Sequence, residues 1–211
     1  HLARWRVRIL AVDAFLGMVQ DARRQAKAKD LPVWAVQADA TALPLATASC
    51  DRLMANHMLY HVTDKEAALG EMRRVLKPGG RILLATNGAD NGARLRDLHA
   101  EAARELGYTP AVGSPIASFT LESGLDLVRR VFPNVRVETR PDAFRFPDVE
   151  SVLRYYASMG VDQLIDPPPS QETRAALVEQ MRGKVQAILD REGVFRMEKT
   201  VGCFVAEKPE G

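Results

Sequence analysis

Short apolar runs alternate with helix-patterned segments along most of this chain, and that alternation restricts the folds open to it. Arg8-Ile-Leu-Ala-Val12 has the continuous apolar character of a buried strand and is closed by Asp13. Phe15, Met18, Val19, Ala22 and Ala26 then recur at helical spacing, with Arg23, Arg24, Lys27 and Lys29 on the other side as a solvated face. Pro32-Val-Trp-Ala-Val36 reads as a second strand ending near Asp39, and Arg52-Leu-Met-Ala55 as a third. Thr63 and Glu66 fit a capping box for a helix carrying Ala68, Leu69, Met72, Val75 and Leu76. Lys77-Pro78-Gly79-Gly80 stops that helix, and Arg81-Ile-Leu-Leu-Ala-Thr86 follows as a fourth strand. Short apolar strands joined through helices pair in parallel and carry helices on both faces. The expected fold is a doubly wound α/β sheet.

The second half keeps the alternation more loosely. Leu95, Leu98, Ala102 and Leu106 mark a helix, residues 107–119 a loop, and Leu125, Val128 and Val131 another helix. Val135-Arg-Val-Glu-Thr139 is a strand, and Val149, Val152, Leu153 and Tyr156 mark a short inserted helix. Asp166-Pro-Pro-Pro-Ser170 is a stiff linker. The last long helix carries Leu177, Met181, Val185, Ile188 and Leu189 and ends at Gly193. Phe195 to Lys208 is a final strand, expected to be antiparallel to the one before it.

Composition closes off several classes. With 46% hydrophobic residues in 211 the chain has ample material for a core, and no apolar run reaches the ~20 residues of a membrane span. Twenty-nine basic against 27 acidic residues give a net charge of +2, which offers nucleic acid no concentrated basic face. Cys50 and Cys203 form neither a CxxC motif nor a disulfide framework, so a reducing cytoplasm is the expected location. The chain opens without an initiator Met or a signal pattern, and His1 to Arg6 read as the end of a helix. A longer native polypeptide is therefore expected.

Ligands of open α/β sheets bind beyond the carboxyl ends of the strands, where Asp13, Asp39 and Asn56 fall. One carboxylate there can accept both ribose hydroxyls, and a second, after the next strand, an exocyclic adenine amine. Either aspartate alone also fits a solvated loop residue or a helix cap.

Four segments stand in order: Ala11-Val-Asp13-Ala-Phe-Leu-Gly-Met18, Gln37-Ala-Asp39-Ala40-Thr-Ala-Leu-Pro44, Cys50-Asp51, and Arg74-Val-Leu-Lys-Pro-Gly-Gly80. With Asn56-His-Met-Leu-Tyr-His61, this set resembles the class I S-adenosylmethionine-dependent methyltransferases, in particular the ubiquinone/menaquinone-biosynthesis-like branch that methylates small molecules. The resemblance is firm over residues 7–87 and extends in outline beyond them. It implies a Rossmann-like sheet, mostly parallel with an antiparallel last strand. Residues 1–211 then form one N-terminally incomplete methyltransferase domain with a substrate lid around 107–170. It further implies that Asp13 binds the ribose hydroxyls with Ala14 beside the adenine, that Asp39 accepts from the adenine amine with Ala40 alongside, and that Asn56 lies near the methionine part of S-adenosylmethionine. Phe15 stands where members commonly carry a helix-capping Ser. The family's glycine-rich loop, roughly 20 residues ahead of the ribose aspartate, has no counterpart: neither GxGxG nor GxGxxG occurs in the chain.

His57 and His61 flank the expected methyl site. His61 is the preferred general base, oriented by Asp64, because imidazole titrates near working pH; a structural histidine bonded to a carbonyl is the competing reading. Their i, i+4 spacing lacks the Glu of HExxH and a third ligand, so no metal is expected. Tyr60, Tyr108, Phe119 and Tyr155 are candidates for an acceptor pocket, whereas Tyr156 sits on a core stripe. A nicotinamide-dependent reductase would want Tyr-x-x-x-Lys, and none of the four tyrosines has it. A catalytically inactive methyltransferase-like binding domain is the remaining alternative. The expected partner is a small-molecule acceptor, with no nucleic acid and no membrane span; the oligomeric state is left open.

Overall fold

The computed structural model describes residues 7–113 and 116–210. The chain runs β1 (Ile9–Asp13), α1 (Leu16–Ala28), β2 (Val33–Gln37), β3 (Cys50–Asn56), a single 3-10 turn (Leu59–His61), α2 (Lys65–Val75) and β4 (Leu76–Asn87). It continues through α3 (Ala93–Glu105), β5 (Thr109–Pro110), α4 (Leu121–Val131), β6 (Arg136–Phe146), α5 (Val149–Met159), β7 (Leu164–Asp166), α6 (Gln171–Glu192) and β8 (Phe195–Glu207). The α/β class expected from the alternation holds. The reading of His1 to Arg6 as a helix end lies outside the described residues.

Strands β1 and β2 pair in parallel from Ile9↔Val33 to Asp13↔Gln37 and form a sheet of their own. Four strands pair in the order β3-β4-β8-β6, and the short β5 and β7 pair antiparallel. Backbone bonds from Gly79 N to Lys208 O and from Gly88 N to Thr200 O run β8 antiparallel to β4. By compactness the chain divides into two units. One holds residues up to Leu84, Leu125–Arg136 and the chain from Phe204; the other holds Ala85–Gly124 and Val137–Cys203.

In the first unit α1 covers one face of the β1–β2 pair and buries Val19 and Ala26. Arg23 is not the freely solvated residue that the helix pattern suggested: its Nε and Nη2 both donate to the carbonyl of Ala35 on β2, at 2.9 and 2.7 Å. Leu10 and Trp34 are register partners and leave the pair's opposite face exposed. Helix α2 buries Ala68, Leu69, Met72 and Val75, one apolar stripe at helical period. Its cap is Asp64 rather than the expected Thr63: the Asp64 carboxylate accepts from Ala67 N at 2.9 Å, and Glu66 pairs with Arg130 instead of reaching back. A carboxylate is the stronger acceptor there and also suits the positive end of the helix.

The glycine-containing stop of α2 also differs from expectation. The helix ends at Val75, and β4 begins at once, five residues ahead of the predicted Arg81 start. The backbone goes straight to extended geometry at Leu76, and Pro78 favours the same geometry at Lys77. Gly79 N then bonds to Lys208 O, and Lys208 N to Gly80 O, both at 2.9 Å. Gly79 adopts φ +70°, a conformation a side chain would strain.

The second unit is organised by a core of α3, α5, α6 and β8, with Tyr156, Leu177, Met181, Val185 and Phe195 fully buried. Ser170, placed in a linker by its prolines, is the N-cap of α6 in a capping box with Thr173, and Gly193 closes the helix in left-handed geometry. Residues 107–119 are not wholly loop, because β5 lies within them. β6 runs well past the predicted Thr139, through Pro141 to Phe146, as an edge strand where a missing N–H is tolerated. Where β8 passes β6, Gly202 approaches the Glu138 carbonyl so closely that a Cβ would stand 2.4 Å from it.

Candidate functional site

The parallel pairing of β1 and β2 brings the two aspartates together. Asp13 ends β1 opposite Gln37, and Ala38 N donates to the Asp13 carbonyl at 3.0 Å, so Asp39 follows directly on the neighbouring strand's end. Gln37 Nε2 donates to the Ala14 carbonyl at 2.9 Å and ties the two exits together. Asp13 Oδ1 accepts from Phe15 N at 2.9 Å. Asp39 Oδ1 accepts from Thr41 N at 2.8 Å and Thr41 Oγ1 at 2.7 Å, and these bonds hold its carboxyl below the usual range. Each carboxylate therefore spends one oxygen on its own turn, and Oδ2 of each takes no partner among the described residues. Ala14 is exposed and Ala40 half-buried beside them.

Two acceptor oxygens at adjacent strand exits are a hydrogen-bond acceptor set that fits the hydroxyl and amine donors of the adenosine half of S-adenosylmethionine. A carboxylate can take the ribose hydroxyls, a second one an exocyclic amine, and neither requires a phosphate contact.

Phe15 occupies the N-cap of α1 with no side-chain cap and is 74% exposed. Substituting an aromatic ring for a capping hydroxyl forgoes about 1 kcal/mol of helix stability.

Asn56 ends β3, in the four-stranded sheet, and is exposed. The next residue, His57, has φ +52°. Left-handed geometry is uncommon for a residue with a side chain, although His adopts it more readily than most. Two residues on, the 3-10 turn carries Tyr60 and His61, whose ring centroids lie 4.5 Å apart in an edge arrangement. Burial pushes the Tyr60 hydroxyl up. His61 is exposed, and its imidazole makes no hydrogen bond among the described residues. The expected orienting role of Asp64 is corrected here, since that carboxylate caps α2.

The remaining aromatic candidates lie in the second unit. Tyr108 is half-buried against its core; Phe119 is 1% exposed, with the Thr86 hydroxyl bonded to its carbonyl at 2.8 Å. Tyr155 packs with Phe144 and Phe146 at centroid distances of 5.4 and 5.5 Å, and burial pushes its hydroxyl up. Among the described residues no three His, Cys, Asp or Glu side chains gather as a metal site, and no helix is long and apolar enough to cross a membrane.

Sequence reasoning missed one group beside this site, Glu71 and Arg74 on α2. They fork together over the loop that leaves Asp39; i, i+3 spacing allows the pair, and nothing in the sequence points to the loop that it holds.

Residues 1–84 match a family model described as a methyltransferase domain. A malonyl-[acyl-carrier protein] O-methyltransferase of Xylella fastidiosa (strain M23) is 26% identical over 175 residues, 82% of this chain and 55% of that protein. The ubiquinone/menaquinone biosynthesis C-methyltransferase UbiE of Klebsiella pneumoniae subsp. pneumoniae is 55% identical over 49 residues, 23% of this chain and 20% of that protein. The chain thus spans about half the length of the first relative and a smaller share of the second. The solved structure of the YcgJ protein from Bacillus subtilis shares the fold, with a TM-score of 0.58 at 18% identity, covering 96% of this chain and 82% of that one. Likeness to that solved structure shows a Rossmann-like fold. More narrowly, residues 1–84 are similar to a methyltransferase domain, and S-adenosylmethionine is the cofactor of the class I methyltransferases that they resemble.

Proposed function

We propose that this protein transfers a methyl group to an oxygen or carbon atom of a small-molecule acceptor, with the adenosine of its cofactor held over the ends of β1 and β2. The observation that carries the reading is the pairing of Asp13 with the Asp39 turn at adjacent parallel strand exits, each with an uncommitted carboxylate oxygen. In this reading Asp13 takes the ribose hydroxyls, Asp39 the adenine amine, and Ala14 and Ala40 flank the base. S-adenosylmethionine supplies an already activated methyl on a sulfonium, so the chain's own task is positioning and proton removal. Asn56, at the end of β3, lies near the methionine part of the cofactor, and His57 beside it flanks the methyl site. His61 removes the acceptor proton: its exposed imidazole has no competing hydrogen bond among the described residues. Tyr60, beside His61, is proposed to line the acceptor pocket.

The names of the two relatives, one an O-methyltransferase and one a C-methyltransferase, support an oxygen or carbon acceptor. The reading includes a further strand and glycine-rich turn that complete the cofactor site. Its support is the split sheet, since among the described residues β1 and β3 each pair on one side only. Transfer of a labelled methyl from S-adenosylmethionine to phenolic, quinol and acyl-thioester acceptors tests the activity. Label incorporated into at least one class is the expected result. A cofactor-binding protein that methylates none of them would favour a non-catalytic binding domain.

A further inference from the structure

Residues 39–49, between β2 and β3, form neither helix nor strand, and they begin with the carboxylate proposed to read the adenine. Asp39 fixes only the first turn of this loop, through Thr41 N and Oγ1 and through the bond from Ala42 N to its own carbonyl. Beyond it, two bonds lie within the loop, from Leu45 N to the Leu43 carbonyl and from Ser49 Oγ to the Ala46 carbonyl, and the others come from α2. Arg74 donates to the Leu45 carbonyl at 2.7 Å and the Leu43 carbonyl at 3.1 Å, while its Nε and Nη2 grip the two oxygens of Glu71 at 2.6 and 2.7 Å. Glu71 Oε2 in turn accepts from Leu43 N at 2.8 Å. Ala48 N bonds to the Arg74 carbonyl and Ser49 N to that of Val75. Ala48 is held at φ +53°, a conformation alanine does not choose unaided. The loop's shape is therefore imposed chiefly by the helix rather than by its own sequence.

We infer that Arg74, braced by Glu71, is a positioning residue for the cofactor: by holding residues 43–49 against α2 it keeps the Asp39 turn in its binding conformation at the exit of β2. The inference rests on the proposed role of Asp39. Arg74 itself sits away from the apolar face of α2 (Ala68, Leu69, Met72 and Val75 are all buried, whereas the Arg74 side chain is 33% exposed), so removing its guanidinium leaves the helix packing intact and frees the loop. A planar fork is required, because one side chain serves four acceptor atoms spread over two carbonyls and both oxygens of a carboxylate, and an ammonium has only three N–H donors on a single nitrogen. When the competent loop conformation falls to a fraction of the population, apparent cofactor affinity falls by the same fraction, while saturating cofactor restores the bound form.

The test uses the full natural chain, with S-adenosylhomocysteine as the calorimetric probe, S-adenosylmethionine in steady-state kinetics, and hydrogen exchange of the ligand-free protein. Arg74→Gln should raise Kd and KM for the cofactor about tenfold and leave kcat within about twofold. It should also speed exchange at Leu43, whose amide is bonded to the carboxylate that Arg74 braces. Arg74→Lys should recover the loss only in part, and Glu71→Gln should reproduce its direction, which also serves if Arg74→Gln does not fold. If Asp39→Ala weakens binding while Arg74→Gln and Glu71→Gln leave Kd and exchange unchanged, the inference is overturned and the role of Asp39 stands. If Asp39→Ala itself leaves affinity unchanged, the adenine-reading role fails first, and the inference falls with it.

Discussion

Removing the Tyr156 hydroxyl should destabilise the second unit, and the structure gives the size of the effect. Tyr156 is fully buried, with its hydroxyl 2.6 Å from His99 Nδ1; His99 is 4% exposed, with Nε2 2.9 Å from the Gln163 carbonyl. A carbonyl only accepts, so Nε2 carries a proton; in the neutral imidazole Nδ1 is then the acceptor and Tyr156 the donor. Burial, with the charge of Asp162 as a lesser cause, pushes the tyrosine hydroxyl well up, so it remains a donor at every working pH. Tyr156→Phe keeps the packed ring and leaves one buried nitrogen lone pair without a partner, at a cost of about 1–3 kcal/mol. For a chain of this length each kcal/mol moves the melting midpoint by roughly 2–4 °C. Urea and thermal unfolding of wild type, Tyr156→Phe, His99→Leu and the double variant measure it. The expected coupling between the two sites is at least ~1 kcal/mol. Should Tyr156→Phe lie within ~0.5 kcal/mol of wild type, or cost the same with and without His99, the assignment of donor and acceptor is wrong.

Two predictions bear on the site. If the acceptor loses a proton, His61→Ala should lower kcat by roughly 10²–10⁴-fold with cofactor affinity kept; a rate within about threefold of wild type on the true acceptor removes His61 from the mechanism. The second concerns pH. Hydrogen bonding to Arg74 pulls the Glu71 carboxyl from its ordinary 4.5 to about 2. A depressed carboxylate contributes stability that is present above its unfolded value and is lost as pH falls through the folded one. Amide protection at Leu43 should therefore be full above about pH 4.5, decline progressively below it and be gone near 2; protection that stays level across this window would mean that the fork is not formed.

The parts of the molecule legible in the sequence are those set by local pattern. Asp13 and Asp39 could be placed because each closes a short apolar run, and parallel pairing fixes where such runs end. Gly193 marked the end of α6 because a left-handed cap has few other occupants. The cap of α2 was misplaced by one residue: Thr63 and Asp64 are both good caps, and pattern alone does not choose between neighbouring acceptors. The early start of β4 and the length of β6 depend on pairing partners distant in the chain, such as Lys208 for Gly79, and cross-strand pairing overrides local propensity. The Glu71–Arg74 fork was invisible for the same reason. Its targets at Leu43 and Leu45 lie far back in the sequence, and nothing near Arg74 marks it apart from other helix-surface arginines. The left-handed backbone of His57 likewise has no local signature of the kind that glycine gives.

The central claim is that the exits of β1 and β2 hold the adenosine of the cofactor through a carboxylate on the ribose. Calorimetric titration of S-adenosylmethionine into the full natural protein and into its Asp13→Ala variant tests it most directly. Removal of the charged acceptor should weaken binding by ~2–4 kcal/mol, roughly thirtyfold to a thousandfold in Kd, with the thermal midpoint of the ligand-free protein little changed. An Asp13→Ala protein that binds the cofactor as tightly as wild type would contradict the account.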